Sequence, residues 1–273
     1  MNNYKLSKDE LEAYLKKGMS SRDIEKVTGI KYWNVLNYIK QYGLNDTSNY
    51  KKLEYDDNFF NKIDTKEKAY MLGFMLADGC LSNDDKFTIN ISLSDREILD
   101  FMVDNIGGRV RECHNKNIKK KIFPHATIKI GNNKIIKDMK MLFGGRLKEE
   151  RHIPIIKKSL ELFLLQGFFD ADGCITWGYR KDRDRIWQKV SFTSQYKLLL
   201  GIQTILIKHG ISSIIRPKQK EKCFILEICN KSEVLKMLNL IYSDENFIVL
   251  NRKYEKSKAL RLELGEFGES SQS

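Results

Sequence analysis

Two stretches of this chain, 94 residues apart, spell nearly the same unusual helix. The first is Met71-Leu72-Gly73-Phe74-Met75-Leu76-Ala77-Asp78-Gly79; the second is Leu165-Gln166-Gly167-Phe168-Phe169-Asp170-Ala171-Asp172-Gly173. A cysteine follows each, Cys80 and Cys174. Repetition of this kind predicts two copies of one structural unit. From Ala69 to Ala77 no side chain is charged or strongly polar, so the first helix has no solvated face and is expected to be buried all round. It cannot span a membrane, because its apolar run is about half the roughly 20 residues that requires. Gly73 with Ala77, and Gly167 with Ala171, fall four apart on one face, where small residues let two helix backbones approach closely. Each helix then ends in an aspartate, at the negative end of its dipole, where a carboxylate is disfavoured. One Asp-Gly is ordinarily a turn. Two of them, at equivalent ends of helices able to pack on each other, ask for a cation.

This constellation resembles the double-motif LAGLIDADG homing endonucleases, named for the nine-residue signature. The resemblance implies that the two motif helices form the interface between pseudo-symmetric halves. It implies a divalent metal, Mg²⁺, at the acidic eighth motif position, here Asp78 and Asp172, with Gly79 and Gly173 beside them in the metal site. The sixth position, not expected to be catalytic, is Leu76 in one copy and Asp170 in the other. Members of the family place a lysine after the last helix of each half. Gly145-Arg146-Leu147-Lys148 before His152-Ile153-Pro154, and Leu250-Asn251-Arg252-Lys253-Tyr254, resemble those segments and make Lys148 and Lys253 the catalytic candidates. Polar residues near the second strand of each half often order water in the family, which points to Ser194 and Gln195.

Charge agrees with an anionic partner. The 273 residues carry a formal charge of +12 and a pI near 9.3, which favours DNA or RNA ahead of a membrane surface. Five cysteines without a C-x-x-C pair, and no secretory leader pattern, predict a reducing, cytoplasmic setting. His114, His125, His152 and His209 are scattered, so structural zinc is not expected. No phosphate-binding glycine loop of the G-x-x-x-x-G-K-[ST] type is present. Cys80 and Cys174 lack a histidine partner and are read as packing positions rather than nucleophiles.

In chain order, residues 1–44 read as three short helices resembling a helix-turn-helix module, with 1–48 as its domain. Ser7 and Glu10 stand at capping-box spacing, and Ile24, Gly29, Ile30, Val35 and Ile39 supply the core and the turn. The outward candidates on its recognition helix are Lys31, Tyr32, Asn34, Asn37 and Lys40. Residues 49–63 read as a linker, 64–156 and 157–256 as the two repeats, and 257–273 as a flexible tail. After each motif the hydrophobic period switches from helix to alternation, as in Lys86–Leu93 and Val190–Thr193, and then back. The order in each half is αββαββα. The predicted fold class is α+β: two such repeats forming antiparallel DNA-binding sheets, plus the small helical domain.

Basic residues concentrate on the strands and their connections: Arg109, Arg111, Lys116, Lys119, Lys120 and Lys129 in the first half, and Arg180, Lys181, Arg183, Arg185, Lys189, Arg216, Lys218 and Lys220 in the second. Sheets do read DNA grooves through alternate side chains, and lysines and arginines on phosphates give salt-sensitive affinity. The resulting expectation is a monomeric, metal-dependent endonuclease that cuts a long duplex DNA site once per strand. A non-catalytic DNA-binding regulator and an RNA maturase acting on its own intron are the alternatives. The chain lacks the terminal residues of an intein, so a free-standing or intron-encoded reading frame is expected. Its Lys-, Ile- and Asn-rich composition hints at a low-GC bacterium or phage.

Overall fold

The computed structural model describes residues 5–16, 19–44, 53–116, 122–218 and 223–265, and the side chains of 114–116, 122 and 123 are outside the description. The chain divides into two compact units, Met1–Glu54 and Tyr55–Ser273.

The smaller unit is three helices, α1 (Lys8–Lys16), α2 (Ser21–Thr28) and α3 (Tyr32–Gln41). Both serines that precede the first two helices form reciprocal caps, Ser7 with Glu10 and Ser20 with Asp23. Gly29, at φ +72°, ends α2 in the left-handed conformation a glycine adopts without strain, turning the chain into α3. Leu6, Leu11, Leu15, Ile24, Val35 and Ile39 form the core. The Tyr42 hydroxyl locks the end of α3 to the Leu6 carbonyl at 2.7 Å.

The larger unit repeats one order twice. The first half runs α4 (Lys66–Asp78), β1 (Cys80–Leu81), β2 (Phe87–Ser92), α5 (Glu97–Ile106), β3 (Val110–Lys116), β4 (Ile122–Ile130) and α6 (Asn133–Phe143). The second runs α7 (Glu161–Asp172), β5 (Gly173–Arg180), β6 (Arg185–Ser194), α8 (Tyr196–Lys208), β7 (Ile214–Pro217), β8 (Phe224–Ile228) and α9 (Lys231–Ile241). Each half has one four-stranded antiparallel sheet, ordered β1-β2-β4-β3 and β5-β6-β8-β7. The α+β class and the repeated αββαββα order are as the sequence predicts.

Alternation gives each sheet a closed and an open face. Phe87, Ile89, Ala126 and Ile128 are buried on one side of the first sheet; Thr88, Asn90 and Lys129 occupy the other, with Thr88 paired opposite Lys129. In the second, Val190, Phe192, Leu226 and Ile228 are buried, while Thr176, Lys189 and Glu227 lie on the open side.

At the centre α4 packs on α7. All residues from Ala69 to Ala77 are buried, as expected of a helix without a polar face. The two glycines are where the backbones meet. A methyl carbon built on Gly73 would overlap the Leu164 carbonyl oxygen and lie 2.9 Å from Phe168 N. One built on Gly167 would overlap the Tyr70 carbonyl oxygen and lie 3.0 Å from Phe74 N. The same contact is thus made twice, once from each helix.

Four sequence readings need correction. The stretch 49–63 is not all linker, because Phe59, Phe60 and Ile63 are buried in the core of the larger unit, which begins at Tyr55. The stretch 257–273 is not all tail, because helix α10 spans Asn251–Glu263. Its inward face starts with Lys253 and Ser257 before reaching Leu260 and Leu264, so hydrophobic periodicity could not show it. β5 and β6 are also longer than their apolar cores, placing Arg180 and Arg185 in paired strand rather than in the connecting loop. Cys80 and Cys174 are exposed instead of packed: they sit on the open faces, while the following Leu81 and Ile175 take the core.

Replacing either central glycine by alanine tests the close approach. In an unconstrained helix the change gains up to about 1 kcal/mol; here the overlap with backbone that cannot swing aside should reverse the sign, costing about 1–3 kcal/mol or more. Urea unfolding of Gly73→Ala and Gly167→Ala should show comparable losses, and a gain in either would deny the contact.

Candidate active site at the paired helix ends

Both motif helices end without a left-handed cap. Gly79 (φ −73°, ψ 141°) and Gly173 (φ −75°, ψ 155°) are extended, so the chain leaves each helix directly into a strand. The last helical carbonyls therefore need outside donors, and basic side chains supply them. Lys148 Nζ donates to the Ala77 carbonyl at 2.9 Å. Lys253 Nζ donates to the Phe169 and Ala171 carbonyls at 2.7 and 2.9 Å. Ala77 and Ala171 are the same motif position, so the two lysines are equivalent across the pseudo-symmetry.

Asp78 and Asp172 lie within electrostatic reach of both lysines. Among the described residues, no hydrogen bond reaches either carboxylate. Burial pushes the Asp78 carboxyl up to about 6, and the nearby Asp172 charge adds to the rise, while Lys148, Lys253 and Arg252 oppose it. Burial also raises Asp172, again against Lys148 and Lys253. Burial pulls Lys253 down to about 8, with Asp170, Asp78 and Asp172 opposing. All four predicted catalytic residues thus belong to one electrostatic cluster. Among the described residues its carboxylates accept no hydrogen bond from the protein.

Of the predicted metal positions, the two aspartates come together. The Gly79 carbonyl is already engaged, accepting from Arg151 Nη1 at 2.9 Å. No group of three or more His, Cys, Asp or Glu side chains able to hold a metal occurs among the described residues. Among these side chains the protein offers a pair of carboxylates.

Sequence reasoning missed four residues here. Arg151 is 1% exposed and donates to the Leu76 and Gly79 carbonyls at 3.0 and 2.9 Å, with its guanidinium 4.9 Å from the Phe143 ring centre. Asp170 is fully buried and accepts from Tyr70 Oη, Tyr242 Oη and Leu250 N at 2.9, 2.7 and 3.1 Å. All three of its partners are buried residues. Arg252 holds the buried Asp95 by 2.9 and 3.2 Å contacts, joining the turn before α5 to the start of α10. Only Asp170 carried a signal, its departure from the first copy. Ser194 ends β6 and Gln195 precedes α8; Asp95 stands at the corresponding place in the first half.

Among the DNA-contact candidates, Arg109, Arg111 and Lys129 are exposed, with Arg111 and Lys129 on the open face of the first sheet. Arg180 and Arg185 pair across the end of the β5–β6 ribbon, and Lys181 and Arg183 form its tip. Lys189 and Arg216 share that open face but both approach Glu227, at 2.8 and 3.8 Å. Lys218 follows β7. Lys119, Lys120 and Lys220 lie outside the described residues, as does the side chain of Lys116. In the separate small unit Lys31, Asn34, Asn37 and Lys40 are exposed on or beside α3, whereas Tyr32 is half-buried, its ring 5.4 Å from the Arg22 guanidinium. Trp33 and Leu36 are also exposed there, an apolar component that a reading by charge passed over.

The model of the LAGLIDADG-like domain matches residues 159–242, from the start of the second motif helix to the end of α9. No curated protein matches the sequence. Among solved structures, the meganuclease I-SmaMI bound to uncleaveable DNA aligns over 72% of this chain and 91% of its own, with a TM-score of 0.51 and 11% identity. The homing endonuclease I-LtrWI, bound to target DNA, aligns over 75% of this chain and 90% of its own, with a TM-score of 0.49 and 12% identity. The chain has the LAGLIDADG meganuclease fold, and its second half carries a LAGLIDADG-like domain.

The partnerless carboxylate has a measurable consequence. The Asp78 carboxyl holds its proton to about pH 6 in the folded protein, against an ordinary value of 3.8. Between those values the folded state binds more protons than the unfolded chain, so this group's contribution to stability falls as pH rises. Metal-free Asp78→Asn should therefore melt higher than the parent at pH 7, and the gap should close as pH falls from about 6 to about 4. A gap that does not change with pH would refute the burial of an ionised Asp78.

Proposed function

We propose that this chain is a site-specific double-strand DNA endonuclease of the homing type, which hydrolyses one phosphodiester on each strand with a divalent cation, Mg²⁺, at Asp78 and Asp172. The observation that carries this reading is the pair of desolvated carboxylates at the ends of two helices packed glycine to backbone, each with a lysine on the neighbouring carbonyl. A structural role for either aspartate would show as hydrogen bonds to it, and the described residues make none.

The donor set suits a hard cation. Mg²⁺ is commonly held by one or two carboxylates, with waters and substrate phosphate completing its shell. When bound, such an ion lowers the pKa of a water and offsets charge on the phosphate oxygens. The residues of the chain do the remaining work. Asp78 and Asp172 hold the negative charge that fixes the ion at the meeting of the two halves. Lys148 and Lys253, tethered by backbone carbonyls, keep positive charge in fixed positions where charge grows on the scissile phosphates. Two centres, one contributed by each half, supply one cut per strand.

Binding is assigned to the open sheet faces. Arg109, Arg111, Lys129, Arg180, Lys181, Arg183 and Arg185 are free of the Glu227 pairing and contact the backbone of a long duplex site, with affinity that falls steeply as salt rises. α3 of the small unit, with Lys31, Asn34, Asn37 and Lys40, extends that contact as a helix-turn-helix would. The protein acts as a monomer, because both halves are present in one chain. An intron-encoded or free-standing gene is its proposed source.

Selection from a randomised duplex library with Mg²⁺ should recover a long cleaved site. Asp78→Asn and Asp172→Asn should each lower cleavage by at least about 100-fold while leaving affinity within a few-fold, by the logic of removing a group that acts on the transition state. Full cutting by both variants would sink the metal assignment. Removing residues 1–48 should shorten the protected footprint; an unchanged footprint would exclude DNA contact by the small unit.

A further inference from the structure

The two lysines occupy equivalent positions, yet the segments that carry them are secured differently. In the first half, Leu147–Arg151 forms a turn after α6. Three residues beyond Lys148, the buried Arg151 reaches back to the Leu76 and Gly79 carbonyls at 3.0 and 2.9 Å. The segment thus grips the motif helix with a cation. Leu76, the motif side chain at the sixth position, is apolar and takes no part.

In the second half the charge and the direction are reversed. The sixth motif position is Asp170, and this buried carboxylate of α7 accepts from the backbone N–H of Leu250 at 3.1 Å. Leu250 is the residue that opens α10, and its carbonyl accepts from Lys253 N at 2.9 Å. Tyr70 from α4 and Tyr242 after α9 hold the same carboxylate in place. Here the motif helix grips the segment with an anion. The residue three beyond Lys253 is Lys256, which makes only a 3.4 Å contact with the Ile175 carbonyl. Neither half carries the other's device.

We propose that Arg151 and Asp170 are positioning residues for separate centres, Arg151 holding the segment that bears Lys148 and Asp170 holding the segment that bears Lys253. Neither side chain needs to touch the substrate. Each acts through the lysine whose backbone it anchors, so damage to one anchor leaves the other centre assembled. The consequence for cleavage rests on the nuclease reading above; the consequence for backbone anchoring does not.

Each half supplies the control residue for the other. Asp170→Leu gives the second motif the first motif's residue, and Arg151→Met removes the guanidinium at similar length. The first measurement is hydrogen exchange by mass spectrometry on the metal-free full chain. Asp170→Leu should raise exchange at residues 249–256 by about tenfold or more and leave 146–152 as in the parent; Arg151→Met should do the reverse. The second measurement follows each strand of one labelled duplex site. The two variants should slow opposite strands by about ten- to a hundredfold, as expected when a catalytic group is misplaced, and so accumulate opposite nicked intermediates.

Asp170→Asn keeps one oxygen for the Leu250 N–H while removing the charge, so it should restore most of the anchoring. It also carries the test if Asp170→Leu fails to fold: exchange at 249–256 must then rise measurably above the parent, and no rise overturns the proposal. Equal changes in both segments, or slowing of both strands alike by each variant, would overturn it as well. A parent protein that cuts neither strand would defeat the nuclease reading alone, because hydrogen exchange still decides the anchoring.

Discussion

The distance between the backbones of α4 and α7 governs the larger unit. Gly73 and Gly167 leave no room for a side chain, and each lies against a carbonyl of the opposite helix. Two consequences follow from one geometry. The helices are buried along most of their length, so the first motif has no polar residue before Asp78, and Gln166 and Asp170 of the second are themselves buried. Their C-terminal ends are also brought close enough for Asp172 to raise the proton affinity of Asp78. A larger residue at either glycine would force the helices apart and separate those ends.

Bringing two carboxylates and two helix ends together is unfavourable in itself. The helix dipoles place negative potential where the aspartates already repel one another. Four basic side chains offset it, and they do so through the backbone rather than by pairing with the carboxylates. Lys148, Arg151, Lys253 and Lys256 all donate to carbonyls at or just beyond the helix ends. Had they bridged directly to Asp78 and Asp172, the carboxylate charges would be neutralised inside the protein. The arrangement stabilises the helix ends and leaves the carboxylates available.

The fold was legible because its period changes are large. A largely apolar helix, followed by alternation, followed by an amphipathic helix, appears twice. The aspartates were legible because the motif repeats them, and the lysines because the resemblance places one after the last helix of each half. Arg151, Asp95 and Arg252 were not, because their roles depend on contacts between segments distant in sequence: Arg252 meets Asp95, and Arg151 meets the Leu76 carbonyl. Helix α10 was hidden for a related reason. Its buried stripe includes a lysine and a serine, the lysine lying inward because two carbonyls receive it. A hydrophobicity pattern cannot register a residue buried for its hydrogen bonds.

The same contacts show how a duplicated fold can lose its internal symmetry without losing its site. What the two halves share is a lysine on the carbonyl beside each helix end; how its segment is anchored differs. A guanidinium can grip carbonyls from the segment, or a carboxylate can grip an amide from the helix, and the two are electrostatically opposite answers to one requirement. Each needs its own surroundings. Arg151 lies against the Phe143 ring, and Asp170 has two tyrosine hydroxyls to share its buried charge. Once such surroundings have formed, exchanging one device for the other would leave a buried group without partners, at about 1–3 kcal/mol or more for each. The difference between Leu76 and Asp170 is therefore one visible end of a divergence that extends through the segments bearing both lysines.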